Sequence, residues 1–258
     1  MDCEKCGRPM KFLKEKLLFK CGKKNCRKSV AARKGTFFAA HHLPLGEILY
    51  MSYLWLLKSP VTSIKIQCEL SNKTVSSFLV YFRQLVADAL DEVDCVVGGK
   101  GIIVEIDETK MGKRKYNWGH CVDKVWVVDG VERTEERRVF AVPVEKRDSE
   151  TLLDVIKKHV APGSIIHTDL WRGYNGIEKK LGLKHHTVNH SVSFKDPITG
   201  IHTNTIEGTW NGFKLQIPSR GRTVKGMKER LWEFAWRRAN EKNLWDGFLN
   251  ALREVVYE

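Results

Sequence analysis

The sequence lacks any apolar run long enough to cross a membrane. The longest, Ile48 to Leu57, is about half the ~20 residues that a spanning helix needs. A disulfide framework is also missing: the seven cysteines are an odd number, and the start, Met1-Asp2-Cys3-Glu4-Lys5, does not read as an export signal. Reduced thiols and metal ligation are therefore expected. There is no internal repeat and no low-complexity segment. Apolar residues are not scarce: 42% of the 258 residues are hydrophobic and 29% charged, which excludes a disordered tail and allows a real core.

What the chain has in excess is positive charge, +13 overall, and its distribution is uneven. Met1 to Thr36 holds 12 basic and 3 acidic residues, and Gly208 to Glu258 holds 10 and 6. The other 171 residues balance at 22 against 22. A basic head and tail around a neutral middle suit a polyanion held at the ends, with nucleic acid the first partner to consider.

Within the basic head, Cys3-x2-Cys6 is followed fourteen residues later by Cys21-x4-Cys26. Two cysteine knuckles on short hairpins supply the four thiolates of a tetrahedral Zn²⁺ site. So short a segment cannot form a core alone, so the metal would supply its folding energy. The plainer reading, four ordinary reduced thiols, is disfavoured by the paired spacing, although the x4 loop is longer than a regular ribbon has. Cys68, Cys95 and Cys121 have no partner spacing and read as buried thiols.

Residues 44 to 90 have the pattern of three helices. Leu45, Ile48, Leu49, Tyr53, Leu56 and Leu57 keep helical spacing until Ser59-Pro60 breaks the run. A short helix follows from Val61 to about Glu69, and Ser71 and Asn72 offer caps for a third. The stripe of that third helix is Val75, Phe78, Leu79, Phe82, Leu85 and Val86. Periodicity alone suits a plain helical bundle and a helix-turn-helix equally. Beside a basic zinc module the latter moves ahead, and Asn72, Lys73, Thr74, Ser76 and Ser77 would then face DNA.

Gly98-Gly99-Lys100-Gly101 marks a boundary. Strand patterns at Ile102 to Ile106, Val125 to Val128 and Val139 to Val144 follow it without helices between them. Then come a helix with Ser149 as its cap, a strand at Ser164 to Thr168, a helix near Tyr174 to Leu181, and a strand at His186 to Val188. The tail from Met227 is helical and rich in Trp and Arg. This order predicts an α/β domain, a mixed sheet flanked by helices. Asp107 and Asp169 each follow a strand pattern, at the edge where sites assemble in such sheets. A third acid, Glu207, falls on a helical pattern, although spacing alone does not single it out. Three carboxylates from three segments can hold two Mg²⁺ ions, which work on phosphodiesters as a pair. Glu207, Asn211 and Lys214 would share one helix face, putting an ammonium near a DNA phosphate. The alternative for Lys214 is a solvated surface charge.

Asp107-Glu108-Thr109-Lys110 with Gly112-Lys113-Arg114-Lys115-Tyr116-Asn117 resembles the first catalytic block of Merlin-type transposases and their bacterial insertion-sequence relatives. Gly130-Val131-Glu132-Arg133, His167-Thr168-Asp169-Leu170-Trp171-Arg172-Gly173-Tyr174 and Val188-Asn189-His190-Ser191 resemble the middle blocks. His202 to Trp210 with Lys214, and Trp232 to Arg238, resemble the last ones. The match runs in order over most of the chain, which is more specific than any one motif.

The resemblance implies a ribonuclease-H-like core with a DDE triad carried onto Asp107, Asp169 and Glu207, separated by 62 and 38 residues. Bacterial relatives can have Asn at the third position; this chain has Glu. The expected cofactors are two Mg²⁺ or Mn²⁺ ions on these acids and one structural Zn²⁺ on Cys3, Cys6, Cys21 and Cys26, and Lys113, Arg114, Lys115 and Arg172 are further candidates for DNA contact. His190, His202, Asn204 and Arg172 are candidates for supporting contacts, and Trp171, Trp210, Trp232 and Trp236 for the core.

The expected organisation is a zinc ribbon over 1–36, a helix-turn-helix over 37–97, a catalytic domain over 98–222, and C-terminal helices over 223–258 packing on the core. The expected activity is metal-dependent cleavage and strand transfer at terminal inverted repeats, by a homodimer or higher oligomer. The last blocks look closer to the eukaryotic Merlin group than to bacterial relatives, so the expected location is a nucleus, with the cytoplasm or nucleoid as the alternative for a bacterial host. Two other readings are a domesticated DNA-binding protein that no longer moves DNA, and a nuclease without strand transfer. All three acids and all four knuckle cysteines are intact, which argues against the first.

Overall fold

The computed structural model describes residues 1–39, 41–90, 95–111, 125–189, 201–217 and 224–257. The chain divides into two compact units, Met1–Leu85 with Trp245–Glu258, and Val86–Leu244. No helix among the described residues is long and apolar enough to cross a membrane.

The first unit opens with three short antiparallel strands in the order β1 (Met10–Leu13), β2 (Leu18–Cys21), β3 (Ser29–Ala31). Three helices follow, α1 (Leu45–Leu56), α2 (Val61–Cys68) and α3 (Asn72–Asp88). Pro44 and Pro60 stand immediately before α1 and α2, where a missing N–H costs nothing. Ser71 caps α3, its Oγ accepting the Thr74 N–H at 3.1 Å. The stripe Val75, Phe78, Leu79, Phe82 and Leu85 is buried as its spacing predicts. Phe82 packs on Trp55 of α1 and on Phe248 of α7 (Leu244–Glu254), at 5.7 Å between ring centroids in both cases. The last helix of the chain thus packs within the N-terminal unit; the sequence reading had placed it on the catalytic core.

The second unit is built on a five-stranded mixed sheet, in the order β6 (Val139–Val144), β5 (Val125–Glu132), β4 (Ile103–Met111), β7 (Ile165–Asp169), β8 (Lys184–Val188). β4, β5 and β6 pair antiparallel, whereas β7 and β8 run parallel to β4. Helix α4 (Ser149–His159) covers one face, packing Leu152, Leu153 and Ile156 on Val104, Ile106, Val128 and Ile166. Helices α5 (Asn204–Gln216) and α6 (Val224–Ala239) cover the other. There Ile206, Trp210, Phe213, Met227, Leu231 and Phe234 pack with Met111, Val127, Val131 and Val139. A strand covered on both faces reads as a nearly continuous apolar run, as β5 does.

Three details depart from the sequence reading. β4 does not stop at Ile106 but runs to Met111, because its polar second half stays paired with β5 up to Met111 opposite Val125. Asp107 is therefore a mid-strand residue. Asp148, and not Ser149, caps α4, its carboxylate accepting the Thr151 N–H at 2.9 Å. Residues 172–181 form a 3-10 turn and a π-helical turn in place of one helix. Gly98 needs to be glycine: its φ is +86°, and a Cβ there would lie 2.8 Å from Val104.

Candidate active site

Side chains alternate across β4, so Val104, Ile106 and Glu108 face α4 while Glu105, Asp107 and Met111 face α5. On β7, Ile166 faces α4, which puts both His167 and Asp169 on the α5 side. The two strands are parallel with Glu105 opposite His167. Two residues further along each, Asp107 and Asp169 stand at the same level on adjacent strands.

Each carboxylate is held by a donor. Trp210 Nε1 donates to Asp107 Oδ2 at 3.2 Å, and the Trp171 backbone N–H donates to Asp169 Oδ1 at 2.9 Å. Glu207 is in the first turn of α5 on its exposed side, and Trp210 is three residues on, a helical neighbour. The same helical turn thus carries the third acid and touches the first. Asn211 and Lys214 are exposed on α5 with Glu207.

Two further acids lie against this pair. Glu108 turns to the α4 side, where it accepts from the buried Tyr174 hydroxyl at 2.5 Å and from Arg147 at 3.2 Å. Burial pushes the Glu108 carboxyl up, and the charges of Asp107 and Asp169 add to this. The Arg147 guanidinium is sandwiched over the rings of Trp171 and Trp126, at 4.2 and 4.5 Å from their centroids.

Asp129 is the direct cross-strand partner of Asp107 on β5 and shares its face. It is completely buried, and neither oxygen has a side-chain hydrogen-bond partner among the described residues. Burial drives its carboxyl well above the usual range, the Asp107 charge adds to that, and the Gly130 amide and Arg238 offset only part. A buried acid so poorly compensated beside Asp107 is one that a cation could satisfy.

Glu105 organises the start of α5. Wholly buried, it pairs with Arg133 Nε, and its other oxygen accepts the Ile206 N–H at 2.9 Å. Arg133 also donates to the His202 carbonyl and lies 3.0 Å from His202 Nδ1. A carboxylate from β4 thereby caps the helix that carries Glu207, two residues before Asp107 on the same strand. Burial and the nearby Arg133 charge depress His167 to about 4, so it is neutral at neutral pH.

In the first unit, the Cys3 and Cys26 sulfurs are 3.6 Å apart and those of Cys6 and Cys21 3.5 Å. All four lie within 4.8 Å of one another. These separations are too long for disulfides (~2.05 Å) and close to the ~3.8 Å edge of a tetrahedron with ~2.3 Å Zn–S bonds. Cys3 is lowered to about 7, chiefly by the Lys5 backbone N–H. Cys21 is raised to about 11: the Lys23 N–H lowers it, but burial and the other three thiols prevail. The four cysteines form a cluster that could hold zinc.

The remaining predicted residues are more scattered. Asn72, Lys73 and Ser76 are exposed on α3. Thr74 and Ser77 are half-buried, and the Thr74 hydroxyl is engaged with Ser71 at 2.8 Å. Arg172 is exposed beside Asp169. Trp210 and Trp236 are buried, whereas Trp171 and Trp232 are only half-buried. His202 belongs to the Glu105 and Arg133 contacts, and the Asn204 N–H lies 3.3 Å from its ring. Lys113, Arg114, Lys115, Cys121 and His190 lie outside the described residues. Sequence reasoning missed the parts played by Glu105, Asp129 and Arg133. The available signal was an acid interrupting an otherwise apolar strand, which is costly unless it is used.

The geometry thus presents acids clustered on one face of a mixed sheet under a helix that brings another, an arrangement suited to divalent-ion chemistry. The chain belongs to the ISXO2-like transposase domain family, whose model matches residues 95–239; it is a DDE-type insertion-sequence transposase. A relative in Haemophilus influenzae (strain ATCC 51907 / DSM 11121 / KW20 / Rd), called an uncharacterized transposase-like protein, is 31% identical over 102 residues. That alignment covers 38% of this chain and 80% of the relative.

Proposed function

We propose that this chain binds the terminal inverted repeats of its own element, cuts DNA there and joins the freed ends to a target. The reading rests on one observation above all: Asp107 and Asp169 stand level on adjacent parallel strands, on the sheet face that α5 covers with Glu207. The strand order, three antiparallel strands with two parallel ones beyond β4, supports a ribonuclease-H-like core.

Asp107, Asp169 and Glu207 would hold two Mg²⁺ or Mn²⁺ ions. The oxygen-only donor set suits those cations, and the orphaned oxygens of Asp129 beside Asp107 fit a site with cationic charge to spare. When bound, such ions supply Lewis-acid polarisation of the phosphodiester and neutralise charge on the leaving oxygen. The protein's own part is alignment. Trp210 and the Trp171 amide fix the two aspartates, and the Glu105–Arg133 pair fixes the start of α5. In the first step a water oxygen bonds to phosphorus as the P–O3′ bond breaks, freeing a 3′-hydroxyl. That hydroxyl then bonds to a target phosphorus, and a target 3′-oxygen leaves. No covalent enzyme intermediate is required.

The four-cysteine cluster would hold one Zn²⁺, and α1 to α3 would act as a helix-turn-helix, with Asn72, Lys73 and Ser76 toward DNA. Lys214 and Arg172 would hold phosphates near the ions. Two ends joined to one target call for at least a dimer.

The test combines the purified full chain, DNA carrying the element's ends, a target plasmid and Mg²⁺, with Asp107→Asn alongside. Metal-dependent joining that the variant abolishes is the expected result. Cutting without joining would leave a nuclease; end binding with neither would leave a DNA-binding protein on a transposase fold.

A further inference from the structure

Beside the acids, a groove of about 460 Å³ runs along a second face of α5. Asn204, Thr205, Gly208, Thr209, Gly212 and Gln216 form its helical wall. Phe234, Arg137 and Arg238 complete its lining from outside α5. From Asn204 to Gln216 this wall is ~18 Å long, at 1.5 Å per residue.

Its chemistry is one-sided. Among the described residues no carboxylate lines it, yet two guanidiniums do. Arg238 spends its Nε on the Arg137 carbonyl at 3.2 Å, which ties the two arginines together. Arg137 is exposed, and neither arginine forms an ion pair with a carboxylate among the described residues. The wall is cut low by two glycines one turn apart. A Cβ on Gly208 would meet nothing within 4 Å, and one on Gly212 would touch only Phe234, at 3.2 Å. Glycines at such spacing let another backbone approach the helix closely. Thr209 turns its hydroxyl back to the Thr205 carbonyl at 3.0 Å, leaving the Thr205 hydroxyl and the side-chain amides of Asn204 and Gln216 as polar groups of the wall. A cleft of this volume is in the range of small-molecule sites, so it takes part of one strand and not a duplex.

We propose that this groove seats a single sugar-phosphate strand of DNA, with Arg137 and Arg238 on its phosphates and the glycine-lined wall against its sugars. The proposal rests on the DNA-processing reading above. Gly208 immediately follows Glu207, so a strand in the groove runs past the helix turn that carries the third acid. Cationic grooves that track a backbone are the usual way to hold one strand without reading its sequence.

The experiment measures binding of the full, zinc-loaded chain to a DNA end fragment with a single-stranded extension, by fluorescence anisotropy with no Mg²⁺ or Mn²⁺ added, between 50 and 200 mM KCl as in ordinary salt titrations. Arg137→Ala, and Arg137→Ala with Arg238→Gln, are compared with the unaltered chain. Each lost phosphate contact lowers the slope of log K against log salt by about 0.7 for a single strand. The double variant is expected to lose about 1.4 and to bind several-fold to tenfold more weakly at low salt. Because Arg238 also faces Asp129, Gln216→Cys provides a second arm. Its thiol should form a disulfide with a thiol-bearing nucleotide in the extension, and Lys157→Cys, on α4, should not. Unchanged slopes with no crosslink would overturn the groove assignment. So would variants that retain DNA binding but lose binding to poly-glutamate, which would give the groove to an acidic protein segment. An unaltered chain that binds no DNA would instead defeat the functional reading itself.

Discussion

Arg133 is the most informative single perturbation. Its guanidinium is 20% exposed, while the Glu105 carboxylate it pairs with is fully buried. Replacing Arg133 with Ala leaves that carboxylate with the Ile206 N–H at 2.9 Å and the His202 ring nitrogen at 3.6 Å as its neighbours. Breaking a buried pair from one side costs about 3–5 kcal/mol, because the remaining charge is stranded. That is a large part of the 5–15 kcal/mol typical of a native domain. The loss should concentrate where the pair acts, at the start of α5. At 1.4 kcal/mol per tenfold, 3 kcal/mol corresponds to about a 100-fold rise in exchange of the α5 amides.

Hydrogen exchange followed by mass spectrometry on peptides spanning 201–217 reads this directly, with α4 peptides as internal reference. Glu105→Leu combined with Arg133→Met should restore much of the loss, since removing both charges strands neither. End cleavage in Arg133→Ala should fall much further than end binding. Exchange of 201–217 within twofold of the unaltered chain would refute the idea that this pair anchors α5.

Three other outcomes follow from the same geometry. One equivalent of zinc per chain is expected by elemental analysis, and Cys21→Ser should lose it together with the protection of the β1–β3 amides. Glu132→Gln should cost roughly 1–3 kcal/mol at pH 7 by urea denaturation, because Glu132 accepts from Arg138 and the Gly98 N–H. Burial opposes the Glu132 charge, but Arg138 and the other donors prevail and hold its carboxyl below the ordinary value. A depressed acid contributes stability above its unfolded pKa and loses it as pH falls through the folded one. The difference between Glu132 and Gln should therefore shrink below about pH 4. Asp129→Leu should raise stability at pH 7 with no Mg²⁺ or Mn²⁺ added, because it removes a buried acid without a side-chain hydrogen-bond partner among the described residues; a loss of about 1 kcal/mol or more would show a hidden internal partner.

What was legible in the sequence was whatever is written in local spacing. The cysteine knuckles, the stripe of α3, the β6 run and the helix under Glu207 all follow from periods of two or 3.6 or from paired ligands. The end of β4 was not legible, because Glu108-Thr109-Lys110 looks like a loop and stays in the sheet only through pairing with β5. Glu105 and Asp129 were invisible for a related reason. An acid is read as exposed by default, and only the helix above them and the strand beside them bury them. The return of α7 to Trp55 and Phe82 joins Phe248 to residues 193 and 166 positions away in sequence, and leaves no local trace.

The central claim is that Asp107 is a metal ligand in DNA cleavage and joining. Asp107→Cys, assayed for joining of element ends to a plasmid in Mg²⁺ and then in Mn²⁺, tests it most directly. A thiolate suits Mn²⁺ better than Mg²⁺, so the variant should be inactive with Mg²⁺ and regain joining with Mn²⁺. Joining that proceeds undiminished in Mg²⁺ would show that Asp107 is not a metal ligand in this reaction.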